Sequence, residues 1–117
     1  MKAILLTGGT GYIGSHMYLY LKSHGYYPII LDNFLNSKKN VLLRLKMITN
    51  EEVLFREGNI NDEQLIINTI QEFNVETIIH FAALKSVEES NLKPLYYFNN
   101  NVNGFFSVLS AMEKTNC

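Results

Sequence analysis

The stretch Ala3-Ile4-Leu5-Leu6-Thr7-Gly8-Gly9-Thr10-Gly11-Tyr12-Ile13-Gly14 opens the chain and decides how the rest is read. It begins with a continuous apolar run, the mark of a strand covered on both faces in a parallel sheet. The run breaks into glycines spaced as G-x-G-x-x-G at Gly9, Gly11 and Gly14, and as G-x-x-G-x-x-G at Gly8, Gly11 and Gly14. Ile13, Met17 and Leu21 then recur at helical spacing, with Gly25 placed to end the helix. A strand that turns through glycines into a helix gathers backbone amides and a positive dipole end at one point, which suits a phosphate. The glycine spacing alone carries little weight; its place between a strand and a helix is what makes it informative.

Three further short β-prone runs follow, at residues 27–31, 53–56 and 77–81. Helical periodicity fills the gaps. Val41, Leu45 and Ile48 repeat after a cap at Ser37. Ile66, Ile70 and Phe73 repeat after Asn61, which with Gln64 forms a capping-box pattern. Pro94 suits a first helical turn, and Val102, Phe105, Leu109 and Met112 supply an apolar face to the last helix. The alternation β-α-β-α-β-α-β-α predicts an α/β fold: a Rossmann-type parallel sheet with helices on both faces and strand order 3-2-1-4. In that order the fourth strand is an edge, where the second half of a doubly wound sheet begins. Residues 1–117 therefore read as one dinucleotide-binding domain, the first part of a longer enzyme.

Composition narrows the classes. Of 117 residues, 47% are hydrophobic and 18% charged, as in a folded domain and not a disordered one. The net charge of −1, without a basic block, points away from nucleic acid and from anionic membranes. Cys117 is the only cysteine, so no internal disulfide and no cysteine-built zinc site can form, which fits a reducing cytoplasm. Lys2 with the apolar residues after it resembles the start of a signal peptide, but Thr7-Gly8-Gly9 ends the run far too early. No segment approaches the ~18 apolar residues of a membrane span. His16, His24 and His80 have no neighbours at metal-ligand or triad spacing, so no metal is expected.

Asp32 sits at the end of the second run, roughly 20 residues past the glycines, where a ribose-binding acid belongs. A carboxylate there accepts hydrogen bonds from ribose hydroxyls and repels a 2′-phosphate, so NAD is expected over NADP. A mononucleotide P-loop is excluded, because Ser15-His16 follows Gly14 where Lys-Ser/Thr is required.

These residues resemble the amino-terminal third of the UDP-glucose 4-epimerase family, a branch of the extended short-chain dehydrogenases/reductases. The similarity runs over the whole chain. It rests on the block from Thr7 to His16, on Leu31-Asp32-Asn33 with Asn36-Ser37, on Ile79-His80-Phe81-Ala82-Ala83-Leu84-Lys85 continuing to Val87, Glu89 and Ser90, and on Asn100-Asn101-Val102-Asn103-Gly104. The resemblance implies that Gly8, Gly11, Tyr12, Ile13 and Gly14 hold the pyrophosphate. Asp32, Asn33, Phe34, Leu35, Asn36 and Ser37 would surround the adenosine ribose, and Asn59 and Ile60 would flank the adenine. Phe81, Ala82, Ala83, Leu84 and Lys85 would lie along the middle of the cofactor, with Asn100 reaching it from the last helix. Two positions depart from the family pattern: Asn59 replaces the usual Asp, and Ala83 a frequent Gly.

The activity so implied is the interconversion of UDP-glucose and UDP-galactose by reversible hydride transfer at sugar C4. Its general base would be a tyrosine in Tyr-x-x-x-Lys with a Ser or Thr upstream, and these are expected beyond Cys117. Tyr18 and Lys22 share that spacing but lie just behind the glycine loop, and their match reads as coincidence. The chain alone is thus expected to be non-catalytic and to bind NAD weakly. Its partners would be a UDP-sugar in the full enzyme and a second copy, docked through the last helix. Other readings are a different NAD-dependent nucleotide-sugar epimerase or dehydratase, or a non-catalytic NAD-binding module.

Overall fold

Alternation along two central strands organises the molecule. A computed structural model describes residues 2–33, 40–84 and 86–117. The strands are β1 (Ala3–Thr7), β2 (Tyr27–Asp32), β3 (Phe55–Glu57) and β4 (Val75–His80). The helices are α1 (Tyr12–Ser23), α2 (Asn40–Thr49), α3 (Glu63–Phe73), α4 (Val87–Leu92), α5 (Pro94–Phe98) and α6 (Gly104–Thr115), with a π-helical turn at Asn99–Asn103. All strand pairs are parallel, in the order β3-β2-β1-β4. The expected fold and strand order are therefore observed.

Successive side chains of a strand point to opposite faces. Leu5, Ile29 and Leu31 pack with Ile66 and Ile70 of α3 and with Val108 and Ala111 of α6. Ile4, Leu6 and Ile30 pack on the other face with Tyr18 and Leu21 of α1 and Leu45 of α2. Burial of each such aliphatic side chain contributes roughly 1.5–3 kcal/mol. These two layers fix β1 and β2 at the centre and bring the carboxyl ends of all four strands to one rim.

Three expectations change. First, α6 does not bury Phe105 and Leu109, which are 46% and 44% exposed; it turns Gly104, Val108 and Ala111 inward. Apolar residues surround this helix, so periodicity does not choose a face; close packing on α3 does, and a side chain at Gly104 would collide with Ile60. Second, the cap of α3 is Asp62, which accepts from the Leu65 N–H at 3.1 Å, and not Asn61. A carboxylate at the positive end of the helix outcompetes a neutral amide. Gln64 pairs instead with Asn68. Third, β4 starts and ends earlier than its apolar run, because Asn74 closes α3 in the left-handed conformation and passes directly into Val75. The expected cap at Ser37 lies outside the described residues.

The Asp62→Ala variant is expected to lose about 1 kcal/mol of stability in urea unfolding. Asn61→Ala should cost less, since the buried Oδ1 of Asn61 has no hydrogen-bond partner among the described residues.

Candidate cofactor site

Strand β1 delivers the chain into a turn that tolerates no side chain at its first position. Gly8 has φ of 70°, and a Cβ there would lie 2.8 Å from the amide nitrogen of Ala82. Gly14 is held as closely from the helix side, where a Cβ would lie 2.5 Å from the Gly8 carbonyl oxygen. The loop is thus pressed against both the exit of β4 and the first turn of α1. Helix α1 has no side-chain cap at Gly11 and no acidic residue in its first turn. By contrast, Asp62 caps α3 and Ser86 caps α4. The opening amides of α1 are left for a ligand, and the dipole makes an anion the favoured one.

Beside this turn opens a cavity of ≈ 500 Å³, within the usual size of a cofactor or small-molecule site. One wall is Gly8, Gly11, Tyr12, Ile13 and Gly14. A second is Leu31, Asp32 and Asn33 at the end of β2, joined by Gly58 and Ile60 after β3. The loop after β4 supplies Phe81, Ala82, Ala83 and Leu84, and Ser86, Glu89, Tyr97 and Asn100 close the far side. All of it lies at the carboxyl ends of the strands, where open parallel sheets bind ligands.

Asp32 is 9% exposed, and its position is set from the glycine loop itself. Its Oδ2 accepts from the Thr10 amide at 3.1 Å and from the Thr10 hydroxyl at 2.5 Å. These bonds orient the carboxylate on the cavity wall and keep a buried charge partnered. Asn59 differs from the other expected contacts among the described residues in that it does not line the cavity; its Oδ1 accepts from the Asn61 amide at 2.9 Å. Phe34, Leu35, Asn36, Ser37 and Lys85 lie outside the described residues.

Two positioning groups escaped the sequence reading. Asn101 donates from Nδ2 to the Leu84 carbonyl at 2.9 Å and accepts on Oδ1 from the Leu84 amide at 2.8 Å. Its Oδ1 also accepts from the Asn100 side chain, 3.0 Å away. Tyr97, buried, accepts on its hydroxyl from the Ser86 amide at 3.1 Å. The loop beyond β4 is thereby held at Leu84 and Ser86 from the α5–π-turn segment. A run of three asparagines inside an otherwise helical segment was the available signal, since such residues favour local bonds over helix. Short π-helical turns often sit at functional sites for the same reason, an altered projection of adjacent side chains.

Tyr18 and Lys22 form no catalytic pair. Tyr18 is in the core, and burial, with Glu51 nearby, pushes its hydroxyl up to about 12, away from the range of a base working near neutrality. Lys22 forms an ion pair with Glu51. No helix among the described residues is long and apolar enough to cross a membrane.

Comparison with known proteins agrees with this geometry. A family model described as GDP-mannose 4,6 dehydratase matches residues 5–117. A UDP-glucose 4-epimerase of Klebsiella pneumoniae is 43% identical over 93% of this chain and 78% of its own length. The chain belongs to the UDP-glucose 4-epimerase family. The UDP-glucose 4-epimerase of Neisseria meningitidis serogroup B is 44% identical over 97% of the chain, and the chain spans only 34% of that relative. Among solved structures, the epimerase of Stenotrophomonas maltophila with bound NAD and formylated UDP-arabinopyranose superposes with a TM-score of 0.96 at 38% identity, over 99% of this chain and 34% of that one. The Bifidobacterium longum epimerase in complex with NAD+ and UDP gives 0.94 at 38% identity, over 98% and 34%.

The Asn101→Asp variant should lose on the order of 2 kcal/mol, because it sets a carboxylate against the Leu84 carbonyl and leaves that oxygen unpaired. Faster hydrogen exchange at the Leu84 and Ser86 amides, with α1 and α3 unchanged, is the expected reading.

Proposed function

We propose that this chain is the NAD-binding part of a longer enzyme that interconverts UDP-glucose and UDP-galactose by reversible hydride transfer at sugar C4. One observation carries the reading: an uncapped helix start behind a glycine turn, with a fixed carboxylate on the adjoining wall of the same cavity. The amides of Tyr12, Ile13 and Gly14 hold the pyrophosphate, Asp32 and Asn33 the adenosine ribose, and Ile60 packs on the adenine. Phe81, Ala82, Ala83, Leu84 and Asn100 line the remaining length, and the resemblance assigns Lys85, outside the described residues, to the same stretch. The resemblance also assigns Phe34, Leu35, Asn36 and Ser37, which lie outside the described residues, to the ribose; Asn59, expected beside the adenine, does not line the cavity.

NAD supplies a hydride acceptor and donor when bound. The chain's own residues bind and orient it, and the proton-transfer residues belong to the continuation of the enzyme. The relatives crystallised with NAD and with UDP support this assignment. A nucleotide-sugar dehydratase is the second reading, favoured by the family model that matches the chain. Sugar-binding residues in that continuation separate the two.

The pure chain is expected to bind NAD weakly but saturably in calorimetry, and Asp32→Asn should weaken it roughly tenfold, about 1.4 kcal/mol. A variant that binds as the parent does would sink the ribose assignment, and no saturable binding by the parent would sink the cofactor reading. Turnover of UDP-galactose by the 117-residue chain should be absent; measurable activity would contradict a purely binding role.

A homodimer through α6 belongs to the same proposal. Phe105, Phe106 and Leu109 are exposed there, Phe106 to 65%, and an apolar patch of this kind marks an association surface. Sedimentation should show a concentration-dependent dimer that Phe106→Glu abolishes; a monomer throughout would remove it.

A further inference from the structure

One half-buried contact ties the ends of β1 and β4 together and has no part in the cofactor assignment. His80, the last residue of β4, lies in register with Thr7, the last residue of β1. Its Nδ1 is 2.6 Å from the Thr7 hydroxyl oxygen. The same oxygen accepts from the Ala82 amide at 3.4 Å, and Thr7 is fully buried. An amide can only donate, so the single Thr7 proton must go elsewhere. Among the described residues the acceptor within reach is His80 Nδ1, and a buried hydroxyl proton left unpaired is costly. We propose that His80, held as its Nε2–H tautomer, is a positioning residue that acts through Thr7 to lock the β4 exit loop onto the glycine loop.

The geometry gives this lock a direction. Thr7 immediately precedes Gly8, and Ala82 is the residue whose amide crowds Gly8. Movement of Ala82 therefore alters the close backbone approach between the β4 exit and the glycine loop. Burial is what pushes the His80 imidazole below its ordinary 6.5, with no charged group contributing. Its ring faces the Thr7 side chain and the Phe105 ring of α6, whose centroid is 5.6 Å away, and neither carries a charge. A depressed pKa favours the neutral form in the folded chain. The contact is then fully present above pH 6.5 and is lost as the pH falls through the lower folded value. Protonation turns Nδ1 into a donor. The Thr7 oxygen can still accept from it and from the Ala82 amide on its two lone pairs, but the buried Thr7 proton loses its acceptor and with it the bond that fixes the hydroxyl's orientation.

The test is imidazole and amide ¹⁵N spectroscopy on the 117-residue chain, which needs no ligand. A protonated Nε2 and bare Nδ1 at about pH 7.5 are expected, and the Ala82 amide should titrate together with His80. Thr7→Val should uncouple the two. The binding arm rests on the NAD reading above: affinity for NAD should fall about fivefold toward pH 5. His80→Asn, which keeps an acceptor near Nδ1 without titrating, should hold its affinity flat. A protonated Nδ1, an Ala82 amide indifferent to His80, or identical pH profiles for parent and His80→Asn each overturns the lock. If the parent binds no NAD at any pH, the cofactor reading fails, and tautomer and co-titration decide the lock by themselves. If Thr7→Val does not fold, the comparison of parent with His80→Asn decides it.

Discussion

Everything at the site depends on how closely two backbones pass each other at Gly8. A methyl group there would lie 2.8–2.9 Å from Ala82 N, Ala82 Cα and the Phe81 carbonyl carbon, and φ of 70° excludes most other residues independently. That approach is possible only because β1 and β4 pair with Thr7 opposite His80. The ladder continues past the strand, with the Phe81 amide donating to the Thr7 carbonyl at 2.9 Å. A slip of one residue would turn Leu5 and Leu6 to the wrong layers as well as pull the loops apart. Core packing and site geometry are therefore enforced by the same register. Gly8 also anchors the helix, since its carbonyl accepts from Gly11 at 3.1 Å and leaves no room for a side chain at Gly14.

Much of this was legible in the sequence, and the parts that were not share a cause. Strand β1, the glycine turn and Asp32 speak through local pattern, and the sheet order follows from alternation and crossover handedness. The faces of α6 could not be read, because Phe105, Phe106 and Leu109 outweigh Gly104 and Ala111 in hydrophobicity, while the face that packs inward is built of Gly104, Val108 and Ala111. Helix α4 is short and buries nothing, so no periodicity announced it; its start was written in Ser86 and Glu89, a capping pair by spacing. Asn101 and Tyr97 were hidden for another reason. Their partners are 17 and 11 residues away, and what they contact is backbone, which leaves no complementary side chain to recognise.

The cavity draws its walls from regions of unequal stability. Glycine loop, α1 and the end of β2 rest directly on the two core layers. The opposite wall, from Phe81 through α4 and α5, buries only Leu84 and Tyr97 among its described residues up to Phe98. It is held instead by a few hydrogen bonds, those of Asn101, Tyr97 and Thr7. A segment with few buried apolar contacts opens at a lower free-energy cost than the core beneath it. A ligand that spans the cavity touches both walls. Its binding energy therefore adds to the stability of the second wall by mass action, while the first wall, already fixed by packing, gains little. On the proposed assignment, the phosphate end of a dinucleotide would meet the wall already fixed by packing, and the rest of the ligand would add to the stability of the wall held by hydrogen bonds.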